Sequence, residues 1–219
     1  RLVGSEMCIR DSHKRNDDIA RKLRSWFPGA TYHLMHRGIR RKSIFEEIID
    51  YQVFLELLKR ALEHYGCKIH AYCLMTNHIH LLLETGEQEV WKFMKYLSGC
   101  YAIYYNHKYL YSGHLFEGRY KSCLVKDDTY FLQTSRYIHL NPVKARIVEH
   151  PEEYPWSSYV TMIGLGDDKI TQCRETLAYF PGNNMYRYRE FVEDFSHKYI
   201  VQEQEIRKSI GEDELWLPW

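Results

Sequence analysis

The order of predicted strands and helices is the feature that most restricts how this 219-residue chain can fold. Two long segments, 47–65 and 87–107, carry apolar residues at the three- and four-residue spacing of amphipathic helices. Four shorter segments bounded by turn residues predict strands at 30–37, 67–74, 78–84 and 118–125. The order along the chain is therefore strand, helix, strand, strand, helix, strand.

This order is the split βαββαβ pattern of ferredoxin-like α+β folds. The turn at 75–77 is so short that the second and third strands must be antiparallel. Asp128 is expected to cap a further helix that begins at Thr129 and is stopped by Pro142. We predict an antiparallel sheet with this helix added, followed by a helical C-terminal extension.

Composition excludes several classes of protein. No apolar run approaches the roughly 18 residues that a membrane span needs, so we expect no membrane partner. The net charge is only +1, but residues 13–45 hold nine Lys and Arg against two Asp, a local charge of +7. A basic N-terminal face of this kind suits an anionic partner. Beyond the first twelve residues, five cysteines without a CxxC pair predict reduced, packed thiols.

The chain divides into four expected regions. Residues 1–18 are expected to be an adapter-derived or disordered leader, because LVGSEMCIRDS at residues 2–12 matches one reading frame of a common sequencing adapter. The main domain is expected over 19–150 and the helical extension over 151–200. Residues 201–219 form an acidic tail.

Two histidines at the start of the third strand are the first candidate site. His78 and His80 are two residues apart, so their side chains project from the same face of the strand. Two neighbouring imidazoles are half of a metal site, although two surface histidines would show the same pattern. His70 on the neighbouring strand could offer a third nitrogen, but nothing in the sequence fixes its face.

The helix after the fourth strand carries the second candidate site. Tyr137 and Asn141 are four residues apart and share a helix face. A tyrosine becomes a nucleophile when a nearby metal ion or cation lowers its pKa, and Arg136 adds positive charge here. The alternative is an aromatic residue that merely packs on the sheet.

Several motifs, in this order, resemble one known family. They are residues 20–41, YCLMTNHIHLLLE, GRYKS, SRYIHLNPVKA and YPWSSY. Together they are similar to the REP-associated branch of the single-tyrosine transposases, which belong to the HUH endonuclease superfamily. The resemblance covers roughly residues 20–195.

The resemblance implies a role for each candidate. His78 and His80 would bind a divalent metal, Mg²⁺ or Mn²⁺, and Asn141 would complete that site. The insertion-sequence relatives carry glutamine in place of this asparagine, and the shorter side chain makes direct ligation less certain. Tyr137 would be the nucleophile, with Tyr120 in GRYKS as the rival. The activity implied is metal-dependent cleavage and transfer of single-stranded DNA at hairpins through a 5′-phosphotyrosine.

Basic residues supply the expected DNA contacts. Four lie in the run after the first strand, and two flank Tyr120; they are Arg37, Arg40, Arg41, Lys42, Arg119 and Lys121. Tyr32 and Trp26 could stack on unpaired bases, but core packing is the favoured interpretation for both.

Two other functions remain open at this point. A domesticated hairpin-binding protein would keep the basic face but would need neither the histidine pair nor Tyr137. An RNA-binding ferredoxin-like module ranks last, because the inner strands lack its aromatic motifs. The expected location is the bacterial cytoplasm, near the nucleoid, and the chain is either a monomer or a homodimer.

Overall fold

A computed structural model of the chain describes residues 26–194 and 200–211. Four strands form one antiparallel sheet in the order β2-β3-β1-β4. The strands are β1 (Thr31–Arg37), β2 (Lys68–Met75), β3 (His78–Glu84) and β4 (Lys121–Leu124). The prediction of a ferredoxin-like α+β fold is confirmed. The expected leader and the last eight residues of the acidic tail lie outside the described residues.

Helices cover both faces of the sheet. The described residues form seven α-helices, which are α1 (Ile48–Tyr65), α2 (Val90–Tyr109), α3 (Asp128–Lys144), α4 (Tyr159–Met162), α5 (Cys173–Leu177), α6 (Met185–Glu193) and α7 (Ile200–Ser209). The two long predicted helices, α1 and α2, pack together on one face. Helix α3 covers the other face and contacts α6 of the C-terminal extension and α7, nearly all of which belongs to the acidic tail.

Strand β3 shows how the sequence pattern divides between these two layers. Ile79, Leu81 and Leu83 belong to the core under α1 and α2. Leu82 belongs to the core under α3, and the alternation of side chains along a strand puts His78 and His80 on that same face. The strand is buried on both faces, as its near-continuous apolar run predicts.

Helix α3 differs from its prediction at both ends. Asp127, rather than Asp128, is the N-cap, because its side chain accepts a hydrogen bond of 2.8 Å from the backbone N–H of Tyr130. Pro142 does not stop the helix, which continues to Lys144. A proline removes one N–H donor, but the next turn still closes through the Ala145 N–H and the Asn141 carbonyl at 2.9 Å.

Other expectations can be compared with the described part of the chain. Five cysteines are free there, as predicted. The expected helical extension over 151–200 contains the short helices α4, α5 and α6, and its residues 195–199 lie outside the described ranges. Within 26–194 and 200–211, we find no helix of the length and apolar character that spanning a membrane requires.

A buried carboxylate joins the two long helices. Asp50 of α1 is fully buried and accepts hydrogen bonds from the hydroxyls of Tyr104 (2.8 Å) and Tyr109 (2.7 Å) and from the Lys108 ammonium (2.7 Å), all on α2. It also caps its own helix through the backbone N–H of Glu47 at 2.9 Å. Burial alone would raise the pKa of the Asp50 carboxyl, but these hydrogen bonds outweigh burial and hold that pKa well below its ordinary value.

Replacing Asp50 with Asn is expected to lower the free energy of unfolding by about 3 kcal/mol, because buried donors and the Lys108 charge lose their partner. Denaturant unfolding monitored by circular dichroism measures the loss. The control Glu56→Gln breaks an exposed ion pair with Arg60 on α1 and should change the free energy of unfolding by less than about 0.5 kcal/mol.

The stability of the wild type should also depend on pH through Asp50. Because the folded-state pKa of Asp50 is depressed, the free energy of unfolding should fall as the pH drops below about 4. Asp50→Asn should reduce that fall, because the variant lacks the carboxyl that takes up the proton.

Candidate active site

The two histidines of β3 lie together on the face covered by α3. Their ring centroids are 4.9 Å apart with the planes nearly perpendicular. Both side chains are buried, with 2% of His78 and none of His80 exposed. A rigid central strand therefore holds two imidazoles side by side, which is the arrangement that two ligands of one metal ion need.

A third histidine, His33 of β1, joins this pair. Its Nε2 lies 3.0 Å from Nδ1 of His80, and the ring centroids are 5.2 Å apart. Strands β1 and β3 are neighbours in the sheet, so a residue far away in sequence reaches the site. Burial, with the nearby His33 and Lys144, lowers the pKa of His80 well below its ordinary value. His80 is therefore neutral, as a metal ligand must be.

The hydrogen bonds of the pair suit a divalent metal. Nδ1 of His78 lies 2.6 Å from Oδ1 of Asn77, whose Nδ2 donates to the Arg41 carbonyl at 3.1 Å. Because an amide oxygen only accepts, His78 carries its proton on Nδ1 and presents the lone pair of Nε2. His80 likewise uses Nδ1 for His33. In metal-binding histidines, the ring nitrogen that does not bind the metal typically makes a hydrogen bond that fixes the ring. His78 and His80 both have such a hydrogen bond, so the two residues fit a divalent metal ion.

Helix α3 places Tyr137 against these histidines within the same chain. The Tyr137 ring centroid lies 5.7 Å from that of His80 and 5.9 Å from that of His33, edge to face in both pairs. Asn141 is one turn further along α3, and its Nδ2 donates to the Tyr137 backbone carbonyl at 2.9 Å. That bond uses the amide nitrogen of Asn141, so its Oδ1 is the atom suited to a metal.

The opposite side of α3 is fixed by the C-terminal extension. His139 is fully buried, with Nε2 at 2.8 Å from Oγ of Ser158 and Nδ1 at 2.8 Å from the Tyr188 hydroxyl. Burial lowers the pKa of His139 to about 3, so it is neutral. Trp156 of the YPWSSY motif is a packing residue, because its ring stacks on that of Tyr51 with 4.4 Å between the ring centroids. The extension thus sets the position of the helix that carries Tyr137.

Two cations of α3 follow or precede Tyr137 on the same helix. The Arg136 guanidinium donates to the backbone carbonyls of Phe191 and Asp194, at the end of α6. Neighbouring residues on a helix point about 100° apart, so Arg136 and Tyr137 project in different directions. Lys144 places a cation at the Tyr137 ring, with its Nζ 4.7 Å from the ring centroid.

The two predicted basic segments lie next to each other. Gly38 and Phe116 form an isolated antiparallel bridge, which joins the run after β1 to the segment before β4. Arg40, Arg41 and Arg119 are exposed there. Lys42 is exposed as well. The other two predicted residues have partners within the chain: Arg37 pairs with Glu117 at 3.0 Å, and Lys121 donates to the Gly211 carbonyl at 2.9 Å. A groove of about 740 Å³ between β4 and the end of α7 is lined by Arg37, Arg119, Lys121 and Lys208, among others.

The other candidate aromatic residues lie elsewhere. Tyr120 belongs to the core on the α1 and α2 side of the sheet, opposite the histidines, with its ring edge against His36. Tyr32 is 2% exposed in the same core. Trp26 packs against that core and donates to the Gln88 carbonyl at 3.1 Å. These positions match the packing interpretation of Tyr32 and Trp26, and they place Tyr120, the rival nucleophile, away from the histidine pair.

His70 does not join the histidine pair. It lies at a register shift of β2 near the far end of the sheet, 3.2 Å from Glu84 and 3.8 Å from Glu175. These three residues could hold a metal ion. Lys68 pairs with both carboxylates, at 3.1 and 2.8 Å. Glu84 lies six positions after His78 along β3, roughly 20 Å away, so this cluster is distinct from the site beside Tyr137.

Sequence reasoning missed His33 and Lys144. Lys144 follows Tyr137 by seven residues, which is two helical turns on the same face, so the spacing contained a signal. The prediction that Pro142 stops the helix hid that signal. His33 carried none, because its place depends on which strand pairs with β3.

The fold and the site define a class of DNA-processing enzyme. The model of the family described as "Transposase IS200 like" matches residues 27–141, from the segment before β1 to Asn141. The chain belongs to this transposase family.

Relatives place it more narrowly, with the REP-associated tyrosine transposases. It is 30% identical over 132 residues to a Haemophilus influenzae protein assigned as a REP-associated tyrosine transposase, covering 55% of this chain and 73% of the relative. A solved REP-associated tyrosine transposase bound to a REP hairpin shares the fold, with a TM-score of 0.58 and 16% identity. That match covers 68% of this chain and 90% of the other.

Proposed function

We propose that this transposase cuts and rejoins single-stranded DNA at a hairpin, with Tyr137 as the nucleophile. The observation that carries the proposal is the contact of the Tyr137 ring with the rings of His80 and His33 within one chain. Membership of the transposase family supports a role on DNA.

The proposed reaction keeps the number of phosphodiester bonds constant. The Tyr137 oxygen bonds to phosphorus and loses its proton, while the bond from phosphorus to the 3′ oxygen breaks and that oxygen leaves as a hydroxyl. The DNA 5′ end stays on the enzyme as a phosphotyrosine ester. Attack by another 3′-hydroxyl reverses the step, so strand transfer needs no nucleotide cofactor.

His78 and His80 would hold a divalent ion, Mg²⁺ or Mn²⁺, through their Nε2 atoms, with Oδ1 of Asn141 as a further ligand. Bound there, the ion would polarise the scissile phosphate and stabilise charge on its oxygens. The hydrogen bonds that the Nδ1 atoms of His78 and His80 make with Asn77 and His33 would keep both rings in the orientation that ligation needs. Tyr137 is only 2% exposed, so the DNA strand must displace side chains around it, those of α7 included.

The test is incubation of the full chain with Mn²⁺ and an end-labelled DNA hairpin that carries a single-stranded flank. We expect a covalent protein–DNA adduct on a denaturing gel and a released 3′-hydroxyl fragment. Hairpin binding without any adduct would favour the domesticated binding protein instead. A chelator should abolish the adduct and leave binding in place.

The basic run after β1 is proposed to contact the DNA backbone. Replacing both Arg40 and Arg41 with Gln is expected to weaken hairpin binding about tenfold or more and to reduce the salt dependence of binding, since two phosphate contacts are lost. Titration by fluorescence anisotropy at several salt concentrations measures both effects. The matched control, Lys59→Gln with Arg60→Gln, removes two exposed charges from α1 and should bind as the wild type does. Equal weakening in the two double variants would contradict a contact at Arg40 and Arg41.

A further inference from the structure

The turn that joins β2 to β3 holds the basic run after β1 at both ends. The Gly38 N–H donates to the Asn77 carbonyl at 2.8 Å, where the run begins. Just after the run, the N–H groups of Ile44 and Phe45 both donate to the Thr76 carbonyl, at 2.8 and 3.2 Å. Ile44 and Phe45 are buried, so this end is anchored in the core. The backbone between the two ends therefore has a fixed place beside the turn.

The Asn77 side chain connects the middle of the run to His78. Its Nδ2 donates to the Arg41 carbonyl at 3.1 Å, and its Oδ1 lies 2.6 Å from Nδ1 of His78. A carbonyl oxygen only accepts hydrogen bonds, so Nδ2 must face Arg41 and Oδ1 must face the imidazole. One planar amide thus holds a backbone atom of the run and the ring of a proposed metal ligand in a single geometry.

The backbone of the run needs such support. Arg40 and Arg41 have φ angles of 53° and 59°, in the left-handed region. Residues with a Cβ adopt this region at a cost in free energy, so contacts from outside the run must offset that cost. The run is also tightly folded, because a Cβ at Gly38 would lie 2.2 Å from the Lys42 carbonyl oxygen. The hydrogen bond from Asn77 acts directly on this left-handed segment, while both arginine side chains stay exposed.

We propose that Asn77 is a positioning residue that couples hairpin binding at the basic run to metal binding at His78. DNA phosphates bound by Arg40 and Arg41 stabilise the backbone geometry in which the Arg41 carbonyl accepts from Asn77. The same amide then holds the His78 ring in the orientation that ligation needs. Because coupling between two sites is reciprocal, ligation of His78 holds the run in its DNA-binding geometry to the same extent.

The inference rests on the function proposed above and adds a link between its two binding sites. The histidine pair is then held most firmly when the basic run has bound a hairpin. The consequence is a preference for cutting DNA next to a bound hairpin over cutting an unstructured strand that reaches Tyr137.

The experiment measures Mn²⁺ affinity by isothermal titration, for the full chain alone and for its complex with a DNA hairpin that lacks the single-stranded flank. Without the flank, no scissile phosphate can bridge DNA and metal. The hairpin should tighten Mn²⁺ binding at least about fivefold more in the wild type than in Asn77→Ala, because the attraction of Mn²⁺ to the DNA charge is common to both. Without DNA, Asn77→Ala should bind Mn²⁺ about tenfold more weakly than the wild type.

Asn184→Ala is the matched control. It also removes an asparagine amide with two hydrogen bonds, which Asn184 accepts from the N–H groups of Tyr186 and Arg187 within α6. Its Mn²⁺ affinity, and the effect of the hairpin on that affinity, should match the wild type. Fluorescence anisotropy in the presence of a chelator should show hairpin binding weakened about threefold or more in Asn77→Ala and unchanged in Asn184→Ala.

The outcomes separate this inference from the proposed function. An equal effect of the hairpin on Mn²⁺ affinity in the wild type and Asn77→Ala, or no effect in the wild type, overturns the inference, while the adduct of the proposed function can still form. A wild type that binds neither Mn²⁺ nor a flanked hairpin overturns both. If Asn77→Ala melts below the assay temperature, Asn77→Ser, whose side chain is too short to reach both partners, replaces it and must show the same loss of coupling.

Discussion

Replacing Tyr137 with Phe is expected to reduce covalent adduct formation by more than about a thousandfold, to the background of the assay. The substitution removes only the oxygen that would bond to phosphorus, and loss of a nucleophile in other covalent enzymes costs this much or more. The aromatic ring stays in contact with His33 and His80, so the fold and the hairpin affinity should be retained. A denaturing gel with labelled DNA measures the adduct, and anisotropy measures binding.

Tyr120→Phe is the matched control for this prediction. It removes the same atom from the rival tyrosine, which lies on the opposite face of the sheet. Its adduct should form at the wild-type rate. If the adduct survives in Tyr137→Phe and disappears in Tyr120→Phe, the nucleophile has been assigned to the wrong helix and the wrong face.

Replacing His78 or His80 with Ala is expected to weaken Mn²⁺ binding at least about a hundredfold and to reduce adduct formation to a similar extent, because each supplies one of few ligands. His33→Gln should have a smaller effect, about tenfold to a hundredfold, since it acts through the His80 ring. Isothermal titration with Mn²⁺ measures the affinity without DNA, and the adduct assay measures its consequence.

His70→Gln is the control for the histidine pair. The cluster of His70, Glu84 and Glu175 could hold a metal ion, but it lies near the other end of β3. This substitution should leave the Mn²⁺ dependence of adduct formation unchanged. If His70→Gln abolishes that dependence while His78→Ala does not, the metal required by the reaction binds at the far cluster.

The sequence was informative wherever a property depends on neighbours along the chain. Apolar periodicity gave the order of strands and helices, and the two-residue spacing of His78 and His80 placed both rings on one face of a strand. The four-residue spacing of Tyr137 and Asn141 placed both on one side of α3 in the same way. The prediction from local sequence was wrong at the end of α3, where Pro142 was expected to stop the helix but the helix continues to Lys144.

By itself, then, the sequence determined the element order, the family and the residues of the candidate site, because each follows from local spacing or from motifs. Only the tertiary structure decided that His33 meets His80, that Lys144 lies at the Tyr137 ring, and that Tyr120 lies behind the sheet. The physical reason is that periodicity fixes which side chains share a face of one element. Which faces then meet depends on strand register and helix packing between residues distant in sequence, and those are set by burial of the whole core.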